Sequence, residues 1–114
     1  NRIKKGASKR GICFALTIEE GWKLFLDQGR RCAISGCLLD FVRKYTKNHG
    51  KQMASLDRID SNGHYVIGNV QWVHKTVNYM KQSLSDRELF EWSKAIYEHN
   101  KTRYNSSLQE SNDG

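Results

Sequence analysis

Asp57, Asn69 and Asn78 follow one another in this order, with short apolar runs between them. The carboxylate of Asp57 and the amide oxygen of Asn78 are ligands of the kind that a hard cation such as Mg²⁺ binds, with water completing its shell. A cation held in this way can stabilise the negative charge on a phosphate and on a leaving oxygen. The pattern predicts a metal site suited to phosphodiester hydrolysis, with Asn69 fixing the connecting loop through its side-chain amide.

Two basic residues and a histidine flank these ligands. His74 and Asn78 are four residues apart, so both are expected on one side of a helix, and Lys81 can face the same anion. Arg58 keeps its charge because its pKa lies above about 12, so it can grip a phosphate but cannot accept a proton. A salt bridge to a neighbouring acid is its alternative role. His74, with an ordinary pKa near 6.5, is the first choice of general base, and a metal ligand otherwise.

The identity of the proton acceptor stays open at the level of sequence. Tyr65 and His64 lie in the predicted loop and are second choices, and Tyr65 would need its pKa lowered by nearby cations such as Arg58. A metal-bound hydroxide without a protein base is a third option. A degenerate, inactive site is a fourth.

The elements that must position these residues can be predicted from periodicity and capping. Capping boxes at Thr17–Glu20 and Ser85–Glu88 predict helices at about 17–28, with Trp22 and Phe25 in the core, and at about 85–99. Short apolar runs predict strands at 53–59 and 70–73, joined through a turn at 60–63. The pattern turns helical from His74 onward. We therefore predict an α+β fold in which a hairpin and a helix are flanked by an N-terminal and a C-terminal helix.

Composition indicates one small basic domain. The chain has 114 residues and a formal net charge of +7, which favours an anionic partner, with nucleic acid ahead of a membrane surface. No apolar run approaches the ~20 residues needed to cross a bilayer, so no membrane partner is expected. We divide the chain into a flexible basic arm (1–12), one domain (13–100) and a disordered polar tail (101–114). Two basic clusters are expected to contact nucleic acid: Lys4, Lys5, Lys9 and Arg10 in the arm, and Arg43, Lys44, Lys47 and Lys51 in a loop.

Three cysteines, Cys13, Cys32 and Cys37, form an odd set with irregular spacing. That count argues against a disulfide framework and favours a reducing, intracellular setting.

The ordered set resembles the HNH nucleases, also called the ββα-metal or His-Me finger group. Asp57-Arg58 resembles the acid–His pair that ends the first strand of that family, with Arg58 where the catalytic His usually stands. Asn69 matches the middle Asn of the family name, and Asn78 falls nine residues later, where the family carries a His or Asn ligand. Asn78-Tyr79-Met80-Lys81 resembles the Asn-x-x-Lys that follows. Upstream, Cys32-Ala33-Ile34-Ser35-Gly36 resembles the Cys-x-x-Cys-Gly or Cys-x-x-Thr-Gly opening of many members.

The resemblance implies a ββα-metal core and a DNA endonuclease that uses one divalent cation, Mg²⁺ or Mn²⁺, on double-stranded DNA. It implies that Asp57 and Asn78 bind the cation, that Asn69 orients the loop, and that Lys81 contacts phosphate or supports the site. Many members carry a zinc knuckle from two Cys pairs. Here Cys32 and Cys37 are separated by four residues, and His74 and Val77 stand where the second pair would be, so no structural zinc is expected.

Two other functions compete with nuclease activity. A non-catalytic nucleic-acid-binding module on the same scaffold is favoured by Arg58 in place of histidine. A zinc-stabilised interaction domain that never meets nucleic acid ranks third. The target sequence, the choice between nicking and double-strand cutting, and the biological role stay open, as does the oligomeric state, for which a homodimer is one option.

Overall fold

The computed structural model describes residues 11–41 and 53–113, with side chains described through residue 105. In this part of the chain it is a mixed α and β structure with three helices and one two-stranded antiparallel sheet, consistent with the predicted α+β class. The elements in chain order are α1 (Ile18–Asp27), β1 (Ala54–Arg58), β2 (Val70–His74), α2 (Lys75–Lys81) and α3 (Asp86–Asp113). None of the described helices is both long and apolar enough to cross a membrane.

Helix α1 begins at the predicted capping box. The Thr17 hydroxyl accepts a hydrogen bond from the Glu20 backbone N–H at 3.0 Å, and the Glu20 carboxylate accepts one from the Thr17 N–H at 3.0 Å. These bonds satisfy two N–H groups that a helix start leaves without partners. Phe25 is buried in the core, as predicted, but Trp22 is 47% exposed, so its assignment to the core was wrong. Trp22 lies one turn before Phe25, at the rim of the apolar face.

Strands β1 and β2 form the hairpin that the sequence predicts. Their register pairs Leu56 with Trp72 and Asp57 with Gln71. Because side chains alternate across a strand, Leu56 and Asp57 point to opposite faces of the hairpin. One face packs into an apolar cluster with Tyr65 and Val70. The other face presents Asp57 and Gln71 toward α2 and the start of α3.

A second apolar cluster joins α1 to the hairpin. Its buried members are Phe25, Cys32, Leu39 and Val73. Trp72 packs against both clusters, and its indole N–H donates to the Gly21 carbonyl oxygen at 2.8 Å, which ties β2 to α1. Cys32 is 3% exposed and so belongs to the core.

Helix α2 follows β2 without a loop. His74 is the last residue of β2 and the N-cap of α2, with an extended backbone (φ −65°, ψ 139°), and its Nδ1 accepts a hydrogen bond from the Thr76 N–H at 3.0 Å. The expectation that His74 belongs to the helix and shares a side with Asn78 was therefore wrong. The helix starts one residue later because the histidine side chain caps it.

Helix α3 begins at the second capping box, where Ser85 and Glu88 exchange hydrogen bonds of 3.0 and 3.1 Å. It spans 28 residues to Asp113, well beyond the predicted end near residue 99. The segment after Asn100, expected to be a disordered tail because of its polar composition, is helical through residue 113.

Candidate functional site

Asp57 lies near the end of β1 with its carboxylate turned toward α2. Its side chain is 6% exposed, and its Oδ2 atom accepts hydrogen bonds from Lys81 Nζ at 2.6 Å and from Gln71 Nε2 at 2.9 Å. Gln71 is placed for this contact by the strand register, which sets it directly opposite Asp57. The carboxylate is therefore held in one orientation by two donors.

Lys81 is the most deeply buried polar side chain of the described residues, with no exposed area. Its ammonium contacts Asp57 Oδ2 at 2.6 Å and Asp86 Oδ1 at 2.8 Å, and it donates to the carbonyl oxygen of Arg58 at 3.0 Å. Burial alone would lower the pKa of Lys81, but hydrogen bonds and charge from Asp57 and Asp86 outweigh it and raise the pKa above its usual range. Lys81 thus supports Asp57 from the interior and does not face an anion at the surface.

Two residues of this network, Gln71 and Asp86, were not predicted from the sequence. Gln71 also donates to both oxygens of Asp86, at 3.2 and 3.0 Å, so the four side chains of Asp57, Gln71, Lys81 and Asp86 form one connected group. The alternation of β2 could have indicated Gln71, because it shares a hairpin face with Asp57. Asp86 carried no comparable signal, since an acid in the first turn of a helix is common for reasons of capping and dipole alone.

Asn78 lies in the middle of α2 and is tied back to β1. Its amide nitrogen donates to the Ser55 hydroxyl at 2.7 Å. Ser55 and Asp57 are two residues apart on one strand and so share a face of the hairpin. The helix and the strand therefore bring Asn78 and Asp57, the two predicted metal ligands, to the same side of the sheet.

An open polar cleft lies where β1, the hairpin loop and α2 meet. Asn78 and Arg58 both line it. Its further lining residues are Ser61, Asn62, Lys75, Tyr79, Gln82 and Ser83. Every charged residue among these carries a positive charge, and the rest offer hydroxyl or amide groups. Such a lining suits an anion with several oxygen atoms, such as a phosphate diester.

Arg58 enters this cleft from the end of β1. Its Nη1 donates to the Gly63 carbonyl oxygen at 2.9 Å, and its guanidinium carbon lies 5.2 Å from the centre of the Tyr65 ring. No carboxylate of the described residues lies within ion-pair distance of it. The alternative role of Arg58 as a salt-bridge partner is therefore not seen among the side chains that the structure describes. Two contacts fix the position of the guanidinium, and no carboxylate of these residues neutralises its charge.

Asn69 fixes the hairpin loop, as predicted. Its Oδ1 accepts from the Asp60 N–H at 2.9 Å, and its Nδ2 donates to the carbonyl oxygens of Asp60 at 3.1 Å and His64 at 2.9 Å. Gly63 packs so closely on this amide that a Cβ there would lie 2.6 Å from Asn69 Nδ2. The Asn69 side chain therefore fixes the loop that follows Arg58.

The three candidate bases are not positioned to act in the cleft. His74 pairs with Ala54 at the far end of the hairpin from Arg58, about 10 Å along the strand from Asp57, and its Nδ1 caps α2. His64 Nδ1 accepts from the Cys13 N–H at 2.9 Å, and Tyr65 is buried against Leu56 and Val70. None of the three lines the cleft. The structure does not bring the first-choice base, His74, to the predicted ligands.

The donor chemistry at Asp57 and Asn78 fits a hard cation. Lys81 and Gln71 occupy only Oδ2 of Asp57, and within the described part of the chain no donor reaches Oδ1 or the amide oxygen of Asn78. Carboxylates that bind metal ions commonly carry hydrogen bonds of this kind from residues behind them. No three His, Cys, Asp or Glu side chains of the described residues are grouped for a metal, so amide and water oxygens would complete the shell.

The cysteines lie apart from this cleft. Cys32 is buried, and although burial raises the pKa of a thiol, hydrogen bonds from Ser35 and from the backbone of His74 and Ile34 outweigh it and lower the pKa of Cys32. The Ser35 hydroxyl lies 3.2 Å from Cys37 Sγ.

The two basic clusters predicted to contact nucleic acid, in residues 1–10 and 42–52, lie outside the described residues. Comparison of this chain with family models, with curated proteins and with solved structures found no match in any of the three.

Proposed function

We propose that this chain is a metal-dependent DNA endonuclease of the HNH type, which hydrolyses phosphodiester bonds with one divalent cation. One observation carries the proposal: the hairpin and α2 bring Asp57 and Asn78 to one side of the sheet, and Asn78 lines a cleft together with Arg58. The order of these elements is that of a ββα-metal core, and the oxygen donors are those that Mg²⁺ or Mn²⁺ prefers.

Each residue of the site has a distinct part in this proposal. Asp57 and Asn78 would hold the cation, which when bound stabilises negative charge on the phosphate and the leaving oxygen. Lys81 and Gln71 fix the orientation of the Asp57 carboxylate. Arg58 holds a phosphate oxygen from the opposite side of the cleft, where its fixed charge also favours the transition state.

The proposal assigns proton abstraction to no protein side chain. None of His74, His64 and Tyr65 lines the cleft, although the Tyr65 ring lies against Arg58. Solvent is the remaining acceptor, and the rate of cleavage is then expected to rise with pH without a plateau set by a histidine. Arg58 in the usual position of the base agrees with this assignment, because it contributes charge and no proton transfer.

A second function, a non-catalytic nucleic-acid-binding module, is favoured by one specific observation. The Lys81 ammonium already lies 2.6 Å from Asp57 Oδ2, so the carboxylate is paired before any metal arrives. If this pairing satisfies Asp57 completely, the cleft would bind the DNA backbone and leave it intact.

A plasmid-nicking assay separates the two functions. Supercoiled DNA is incubated with the wild-type chain in Mg²⁺, in Mn²⁺ and in EDTA, while filter binding to the same DNA is measured in EDTA. Nicking in either metal but not in EDTA is the result expected of the nuclease. DNA binding without nicking under every metal tested would overturn the nuclease proposal and leave the binding module.

A further inference from the structure

Helix α3 presents a long apolar face that the described part of the fold does not cover. Leu89 in its second turn is buried, but every side chain from residue 90 to residue 99 is exposed. Ile96, Tyr97 and Tyr104 line an open groove together with Met80 of α2. These positions continue the face on which Leu89 packs, because residues three, four and seven apart share one side of a helix.

The exposed side chains are large for a surface that meets only water. The exposed fractions are 64% for Trp92, 61% for Ile96, 57% for Tyr97 and 58% for Tyr104. A helix of 28 residues anchored only near its first turns is marginal in water unless its apolar face is covered. We therefore expect a binding partner to cover this face of α3.

Charge argues against DNA as that partner. Within α3 the sequence carries six acidic and four basic residues, so this helix has a net charge of −2 in a chain of net charge +7. A polyanion is attracted to the rest of the molecule and not to this helix. A second α3 helix, by contrast, meets little electrostatic repulsion.

The charges of α3 do not oppose a second copy. Between residues 86 and 105 the helix carries four acidic and four basic residues. Glu91 and Lys101 are each paired within the helix, with Arg87 and Glu98 respectively. Two such helices can therefore meet without net repulsion over this length.

We propose that this chain forms a homodimer through pairing of the apolar faces of its α3 helices. Covering Met80, Trp92, Ile96, Tyr97 and Tyr104 in both copies would bury roughly 1,000–1,400 Å² in total, which reaches the size of a specific interface. The dimer does not depend on whether the clefts cut DNA.

Sedimentation velocity of the full chain across the micromolar range tests this proposal. The mass of the wild type is expected to rise with concentration toward twice 13.2 kDa. Ile96→Glu adds a charge to the centre of the face and is expected to stay monomeric. Ala95→Glu adds the same charge one residue earlier, outside the apolar face, and is expected to dimerise like the wild type. Equal far-UV circular dichroism shows that all three chains fold.

Two outcomes would overturn the dimer. One is a wild-type mass of 13.2 kDa at every concentration, and the other is equal behaviour of Ile96→Glu and Ala95→Glu. If Ile96→Glu instead loses DNA binding while the wild type is a monomer, the face contacts DNA and the proposal fails.

Discussion

Lys81 places an ammonium group in the interior of the fold, between the carboxylates of Asp57 and Asp86. Removing two charges from water is costly, and their attraction repays that cost only when the remaining donors and acceptors are satisfied. Here Gln71 and the carbonyl of Arg58 supply the additional hydrogen bonds. The same side chain thus stabilises the fold and holds the carboxylate that we propose binds the metal.

Replacing Lys81 removes the partner of a buried carboxylate. Lys81→Met is expected to lower the free energy of unfolding by about 3–5 kcal/mol, because Asp57 is left buried without its cation. Urea unfolding followed by tryptophan fluorescence measures the change. Lys75→Met, at an exposed lysine of the same helix, serves as the matched control and should change the stability by less than about 0.5 kcal/mol. Equal losses in both variants would show that the buried ion pair contributes little.

Because the pKa of Lys81 is raised, its contribution to the stability of the fold depends on pH. A group whose pKa is higher in the folded chain contributes its full stabilisation below its unfolded pKa, here about 10.5, and loses it as the pH rises through the folded value. The free energy of unfolding is therefore expected to fall as the pH rises above about 10.5. Unfolding curves from neutral to strongly alkaline pH measure this. Lys75→Met should retain the alkaline fall and Lys81→Met should lack its Lys81 component; a common profile would contradict the assignment.

The roles of some residues could be predicted from the sequence, and those of others could not. Asn69 was predicted to fix the loop because its amide stands at the start of a strand after a turn, and its three hydrogen bonds to the loop backbone confirm this. Lys81 was expected to contact phosphate or to support the site, because it lies three residues after Asn78 on the same helix. Its burial depends on Asp86, which comes from the next helix, and spacing within one helix does not reveal such a contact.

At the scale of elements, capping and periodicity located the helices and strands well. Thr17–Glu20 and Ser85–Glu88 begin α1 and α3 where predicted, because their hydrogen bonds are local and depend on no other part of the fold. The end of α3 was not predictable in the same way. The residues after Asn100 are polar and carry no stop signal such as proline, so composition indicated disorder where the helix continues.

His74 shows how an element boundary changes the interpretation of a residue. As the N-cap of α2, its Nδ1 accepts from the Thr76 N–H, so His74→Ala is expected to cost about 1 kcal/mol of stability while nicking continues at the wild-type rate. His74→Asn, which retains a capping acceptor, should recover part of the stability. Urea unfolding and plasmid nicking measure the two effects. A folded His74→Ala chain that no longer nicks DNA would restore His74 as the base.

At the scale of the whole molecule, positive charge is unevenly distributed. The chain carries +7, α3 is net acidic, and the charged side chains of the cleft between β1 and α2 are positive. The charges that line the cleft therefore suit a polyanion, whereas those of α3 do not. The net charge can be read from the sequence, but the lining of the cleft depends on the fold.

Arg58 is expected to contribute to DNA affinity through charge. Each phosphate contact adds about 0.9 to the slope of log affinity against log salt concentration, so Arg58→Gln should lower that slope by about 1. Lys94→Gln, the same charge change on α3, should leave it unaltered, because that helix lies away from the cleft. Fluorescence anisotropy with a duplex oligonucleotide at several salt concentrations measures both slopes. Equal slopes in the two variants would remove Arg58 from the DNA-binding surface.

The nicking rate of Asp57→Asn relative to Asp60→Asn, in Mg²⁺ on supercoiled plasmid, tests the central claim most directly. Both variants remove one acidic charge from the same hairpin and keep a side-chain oxygen, but only Asp57 is a proposed ligand. We expect Asp57→Asn to nick at least ~100-fold more slowly, since several kcal/mol of charge stabilisation are lost, and to retain its DNA affinity. Because Lys81 loses one of its two carboxylate partners in this variant, nicking is compared at a temperature at which circular dichroism shows both variants to be folded. Asp60→Asn should nick like the wild type. Nicking by Asp57→Asn at the wild-type rate, or none by the wild type itself, would contradict the proposed metal site.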